Sequence, residues 1–135
     1  VSALTGVFYL DTSAAAKLVV AERGSKALRA WLAQRDGRIV SSDLLRTELL
    51  RATRRAAPEH MVQARVVLDS LPLMRMPTEV FERAATLEPD LLRSLDSLHL
   101  AAALELGDDL EAIVTYDSRL AEAARALGIE VVSPR

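Results

Sequence analysis

Short runs of β-forming apolar residues alternate along this chain with stretches of helical periodicity. That alternation restricts the possible folds more than any other property of the sequence. Phe8-Tyr9-Leu10 reads as a buried strand that stops at Asp11-Thr12-Ser13, and Arg38-Ile39-Val40 as a second short strand after the Asp36-Gly37 turn. Leu73-Met74-Arg75-Met76, bracketed by Pro72 and Pro77, reads as a strand on a sheet edge, where proline is tolerated. Ala112-Ile113-Val114-Thr115 is the clearest strand, and Glu130-Val131-Val132 the last. Between them, helices are expected over residues 14–20, 26–34, 43–55, 59–70, 79–87, 95–107 and 118–127. Ser41 and Ser42 are the expected caps of the third helix, and Thr78 of the fifth. Gly24, Pro58, Pro89 and Gly128 supply breaks. Alternating strands and helices predict an α/β fold, with a mainly parallel sheet of four to five strands, helices on both faces and right-handed crossovers. In such sheets ligands bind at the carboxyl ends of the strands, where strand order reverses.

The chain has 135 residues, the size of one domain, and 1–135 reads as a single unit without linker or internal repeat. Residues 1–6 lack the charged start and long apolar stretch of a signal peptide, and are read as disordered or non-native sequence without weight in the fold. No apolar run approaches the roughly 20 residues needed to cross a bilayer. The absence of cysteine excludes a thiol nucleophile, a disulfide framework and cysteine zinc sites, and fits a reducing cytosol. Net charge is −2, so no global basic field points to nucleic acid; 15 of the 17 basic residues are arginine, which compositional bias explains.

Acidic side chains at the expected strand ends carry the chemistry. Asp11 follows the first strand directly, and both a helix cap and a catalytic acid suit that position. Glu48 lies in or beside the core-facing stripe Leu44, Leu45, Leu49 and Ala52; an unpaired carboxylate there is costly, so it either pairs with Arg51 or Arg55 or points into a cavity holding cations. Asp96 begins a helix, where an acid suits the helix dipole, and Ser94 competes for the capping role. His99 follows one turn later and reads as a satisfied, partly buried residue rather than a ligand or base. Asp117 follows the strongest strand, with Thr115 and Ser118 on either side. If these four acids converge, their mutual repulsion calls for a divalent cation, and an all-oxygen ligand set selects a hard ion such as Mg²⁺ or Mn²⁺. Such sites hydrolyse phosphodiesters.

The chain resembles the PIN-domain nucleases, specifically the VapC-type toxins of bacterial toxin–antitoxin pairs. The resemblance covers nearly the whole chain and rests on Tyr9-Leu10-Asp11-Thr12-Ser13, Thr47-Glu48-Leu49, Leu95-Asp96-Ser97-Leu98-His99 and Val114-Thr115-Tyr116-Asp117-Ser118-Arg119-Leu120, taken in order and spacing. It implies a PIN-like three-layer α/β/α sandwich and a Mg²⁺- or Mn²⁺-dependent endoribonuclease. Asp11, Glu48, Asp96 and Asp117 match the family's four acidic positions, and Ser13 and Thr115 match polar positions that support the metal site. It further implies a cytoplasmic homodimer that acts on RNA and is held inactive by a cognate VapB-type antitoxin.

On this reading Asp11, Asp96 and Asp117 bind one or two cations, and Glu48 orients or deprotonates the attacking water. Arg46, Arg51, Arg54, Arg55 and Arg65 are candidates for holding the RNA backbone, against a plain solvated surface for any one of them. Arg93 is placed to pair with a nearby acid. Aromatic residues are only 4% of the chain, which argues against a broad base-stacking platform. Three rivals share parts of the pattern. A receiver-like phosphoacceptor wants a lysine after a late strand, and Val131-Val132-Ser133-Pro134-Arg135 has none. A haloacid-dehalogenase-type phosphatase wants an aspartate at position 13, where serine stands. A non-enzymatic binding module would use the acids only as caps.

Overall fold

A computed structural model describes residues 6–135. The expectation for residues 1–6 therefore lies, Gly6 excepted, outside the described residues. Five strands form one sheet: β1 (Val7–Leu10), β2 (Ile39–Ser42), β3 (Leu73–Met74), β4 (Leu110–Val114) and β5 (Val131–Val132). Their order is β3-β2-β1-β4-β5, and every neighbouring pair runs parallel. Seven α-helices connect them: α1 (Thr12–Val19), α2 (Ser25–Ala33), α3 (Leu44–Ala56), α4 (Met61–Ser70), α5 (Thr78–Ala85), α6 (Ser94–Leu104) and α7 (Ser118–Ala126). This is the three-layer α/β/α sandwich expected from the sequence.

Period-two alternation divides the core. Phe8 and Leu10 of β1 and Ala112 and Val114 of β4 face a layer that includes Leu28, Leu45, Leu49 and Leu68 from α2, α3 and α4. Tyr9 and Ile113 face the opposite layer, with Val80, Leu100 and Leu120 from α5, α6 and α7. Leu45, Leu49, Leu100 and Leu120 are essentially inaccessible, and truncating any one to alanine costs about 2–5 kcal/mol. Trp31 of α2 closes the first layer edge-on against Phe8, with ring centroids 4.8 Å apart.

The strand order places the functional edge. The chain moves outward from β1 through β2 to β3, then returns to lie on the other side of β1 as β4. Crossovers of one hand that travel in opposite directions put their helices on opposite faces, as the two core layers show. Strand order reverses between β1 and β4, so a crevice forms beyond Leu10 and Val114.

Three expected caps are corrected. Ser41 and Ser42 belong to β2 and are fully buried; the Ser41 hydroxyl donates to the Leu10 carbonyl at 2.6 Å and the Ser42 hydroxyl meets the Tyr9 hydroxyl at 2.8 Å. Interior hydrogen bonds to strand and side-chain oxygens take the place of capping. Thr78 is the first residue of α5 rather than its cap, because Pro77 precedes it in the extended conformation that starts the helix. Gly24 adopts φ +88°, the left-handed turn that separates α1 from α2.

Candidate active site

Asp11 leaves the end of β1 and caps α1. Its Oδ1 accepts from the Ala14 N–H at 2.9 Å, so the helix start fixes the carboxylate in the crevice. Ser13 Oγ donates to Oδ1 at 2.7 Å and Thr115 Oγ1 donates to Oδ2 at 2.6 Å. The residue is 3% exposed. Burial is the largest influence on it and pushes its carboxyl above the usual aspartate range, although the hydrogen bonds from Thr115, Ala14 and Ser13 and the nearby His99 all act the other way. Asp11 is therefore both cap and candidate acid, and neither Thr12 nor Ser13 takes the capping role.

Asp117 does two jobs with its two oxygens. Oδ1 caps α7, accepting from the Arg119 and Leu120 N–H groups at 2.9 and 3.2 Å. Oδ2 faces the Arg93 guanidinium at 3.0 Å. Asp96, buried in the first turn of α6, accepts from the same guanidinium at its Oδ2, from Nη2 at 2.8 Å and from Nε at 2.9 Å. One guanidinium thus bridges carboxylates from two helices, the ion pair expected for Arg93 on sequence grounds. Neither Ser94 nor Asp96 forms a cap; Ser94 is the first residue of α6.

Thr115 ties the two halves together. Besides donating to Asp11 it accepts from the Asp117 N–H at 3.0 Å, and Ser13 Oγ accepts from the Tyr116 N–H at 2.8 Å. A continuous hydrogen-bonded chain therefore runs Asp11, Thr115, Asp117, Arg93, Asp96 across the crevice.

Glu48 lies on the flank, joined to this chain through the residue next to Asp11. Thr12 Oγ1 donates to Glu48 Oε1 at 2.7 Å, and His99 Nε2 meets the same oxygen at 2.5 Å. Burial acts to raise the Glu48 carboxyl, but hydrogen bonding and charge attraction from His99, with Thr12, outweigh it and leave Glu48 below its usual range. An ionised Glu48 requires His99 Nε2 to be the donor. His99 Nδ1 in turn meets the Tyr9 hydroxyl at 2.7 Å, which meets Ser42. Neither Arg51 nor Arg55 pairs with Glu48 among the described residues.

As disposed here, no three acidic or imidazole side chains among the described residues stand ready to hold one metal ion. The reason is visible in their partners: helix N–H groups and hydroxyls take the lone pairs of Asp11, and Arg93 takes the space between Asp96 and Asp117. The donor set nonetheless suits a hard cation. It is all oxygen, and one positive group already sits between two of the carboxylates. Sequence reasoning treated His99 as a satisfied residue, which it is, at 3% exposure, but missed that its partner is Glu48. Thr12 went unrecognised because its position also suits a cap.

A family model described as PIN domain matches residues 8–126. Ribonuclease VapC47 of Mycobacterium tuberculosis (strain CDC 1551 / Oshkosh) is 39% identical over 132 residues, covering 95% of this chain and 97% of that protein. Ribonuclease VapC46 of Mycobacterium tuberculosis (strain ATCC 25618 / H37Rv) is 44% identical over 126 residues, covering 93% and 96%. Among solved structures, Mycobacterium tuberculosis VapC20, described as a sarcin-ricin loop cleaving toxin, superposes with TM-score 0.74 over 94% of this chain and 99% of that one. At 14% identity that match speaks for the fold alone.

Proposed function

Because this chain belongs to the PIN-domain family, we propose that it is a VapC-type toxin, an endoribonuclease that hydrolyses RNA phosphodiester bonds with divalent-metal help. The observation that carries the site assignment is the chain of contacts linking Asp11, Asp117 and Asp96 through Thr115 and Arg93 at the point where strand order reverses. Asp11, Asp96 and Asp117 would hold Mg²⁺ or Mn²⁺, with Ser13 and Thr115 fixing Asp11. The chemistry such an ion would supply there is charge neutralisation at the phosphodiester and a more acidic water. Glu48 completes the pocket. Its proton affinity is lowered, which suits it to orienting the attacking water more than to removing its proton.

Residues 1–135 work as one nuclease domain. The proposal includes action in the cytoplasm as a homodimer and restraint by a VapB-type antitoxin; likeness to the VapC relatives over nearly their whole length supports the antitoxin. No helix among the described residues is long and apolar enough to cross a membrane.

Incubating wild type and Asp11→Asn with structured RNAs, in Mn²⁺ and in chelator, tests the proposal. Cleavage is expected only from wild type with Mn²⁺. Equal cleavage by both proteins would remove Asp11 from the active site.

A further inference from the structure

A cleft of about 600 Å³ opens beside the acidic crevice. Glu48 and Thr12 line its inner end, so it is continuous with the site described above. One wall is α3, which presents Glu48, Arg51 and Arg55 along a single face at helical spacing. The other carries Phe81 of α5 and Leu95 of α6, which are 48% and 50% exposed. Two large apolar side chains are thus left half open beside a polar crevice. Arg51 and Arg55 form no ion pair among the described residues. A second hollow, of about 440 Å³ and walled by Arg51, Arg54 and Arg55, continues outward along α3.

We infer that this cleft seats one unpaired nucleotide of the RNA beside the scissile bond, its base against Phe81 and Leu95 and its phosphates against Arg51 and Arg55. The inference rests on the ribonuclease reading and specifies the substrate for it. Charge selects the occupant: unpaired guanidinium groups beside an apolar wall complement a polyanion that carries flat apolar rings. Size agrees with that occupant, because the cleft has the volume of a small-molecule site and has room for an unstacked base. The scarcity of aromatic residues agrees with one base seat in place of an extended platform.

Fluorescence anisotropy with a short unpaired RNA oligonucleotide, and with the same sequence fully paired, tests the inference. Chelator is present throughout, so that binding is read without cleavage. Phe81→Ala is expected to weaken binding of the unpaired strand by about tenfold, in keeping with the loss of one stacked base, and to leave the duplex unaffected. Phe81→Trp restores binding. The double variant Arg51→Gln, Arg55→Gln weakens both ligands and flattens the salt dependence. Unchanged affinity of Phe81→Ala for the unpaired strand overturns the inference. So does a change in oligomeric state on size-exclusion chromatography without a change in RNA binding, which would make the cleft a contact between copies of the chain. Mn²⁺-dependent cleavage by wild type, measured alongside, separates the two claims. Cleavage with an indifferent Phe81→Ala defeats the base seat alone, whereas no cleavage and no binding by wild type defeats both.

Discussion

His99 and Glu48, 51 residues apart in sequence, share a hydrogen bond of 2.5 Å from the ring Nε2 to the carboxylate Oε1. Tyr9 fixes the far side of the ring at 2.7 Å, so the direction of the Glu48 side chain is set from the centre of the sheet. His99→Gln should loosen that direction. The expected result is a drop in kcat with KM little changed, and a loss of stability of about 1–3 kcal/mol from the broken buried bond. The pH dependence has a definite sign. Glu48 binds its proton less tightly folded than unfolded, so its contribution is present above the ordinary glutamate range and is lost as pH falls through the lowered value. Acid unfolding followed by circular dichroism should therefore be shallower in His99→Gln. A variant whose acid limb overlays wild type would show that His99 does not stabilise the Glu48 charge.

Asp11 behaves in the opposite sense. Burial raises its proton affinity on folding, so the protonated form favours the native state below the ordinary aspartate range, and that advantage is lost as pH rises through the raised value. At neutral pH a buried charge is carried at a cost. Asp11→Asn keeps an oxygen for the Ala14 N–H and removes the charge. In chelator it should melt higher than wild type by a few degrees, roughly what 1 kcal/mol gives in a domain this size, while cleaving no RNA. Differential scanning calorimetry at neutral pH decides it; a lower melting temperature would mean that the charge itself supports the fold.

The sequence was legible wherever one residue's neighbours along the chain carried the signal. Strand positions, the three-layer order and the acids at β1 and β4 follow from short-range periodicity and junction position. Ser41 and Ser42 were misread because serine before a helical stretch looks like a cap, whereas tertiary bonds to Leu10 and Tyr9 hold both in β2. The α3 stripe was displaced for a similar reason. Thr53 is buried with its hydroxyl satisfied by the Leu49 carbonyl at 2.8 Å, while Leu44 and Ala52, expected in the core, line the cleft beside Glu48. Phe81 carried no local mark at all. It faces α3 across a space that only the assembled fold creates.

Arg93 stands where two carboxylates converge, and its removal should change metal affinity. Its guanidinium offsets the repulsion of Asp96 and Asp117, and an ion held by those two groups would compete for the same position. Arg93→Gln should therefore melt lower than wild type in chelator and gain more from Mn²⁺, with half-maximal stabilisation at a lower Mn²⁺ concentration. Thermal-shift titrations of the two proteins make the comparison. Equal midpoints would mean that Arg93 does not compete for the position, and the absence of any Mn²⁺ effect in either protein would count against the metal site itself.

Asp117 allows its two oxygens to be tested apart. Oδ1 caps α7 through the Arg119 and Leu120 N–H groups, and Oδ2 meets Arg93. Asparagine caps as well as aspartate, so Asp117→Asn should keep α7 intact while weakening Mn²⁺ binding. Asp117→Ala loses both functions and should lower stability in chelator by about 0.5–2 kcal/mol, the usual value of a lost cap. Urea unfolding in chelator reads the cap, and Mn²⁺ titration reads the ligand. If Asp117→Asn titrates with Mn²⁺ as wild type does, Asp117 is a helix cap and the ion is held without it.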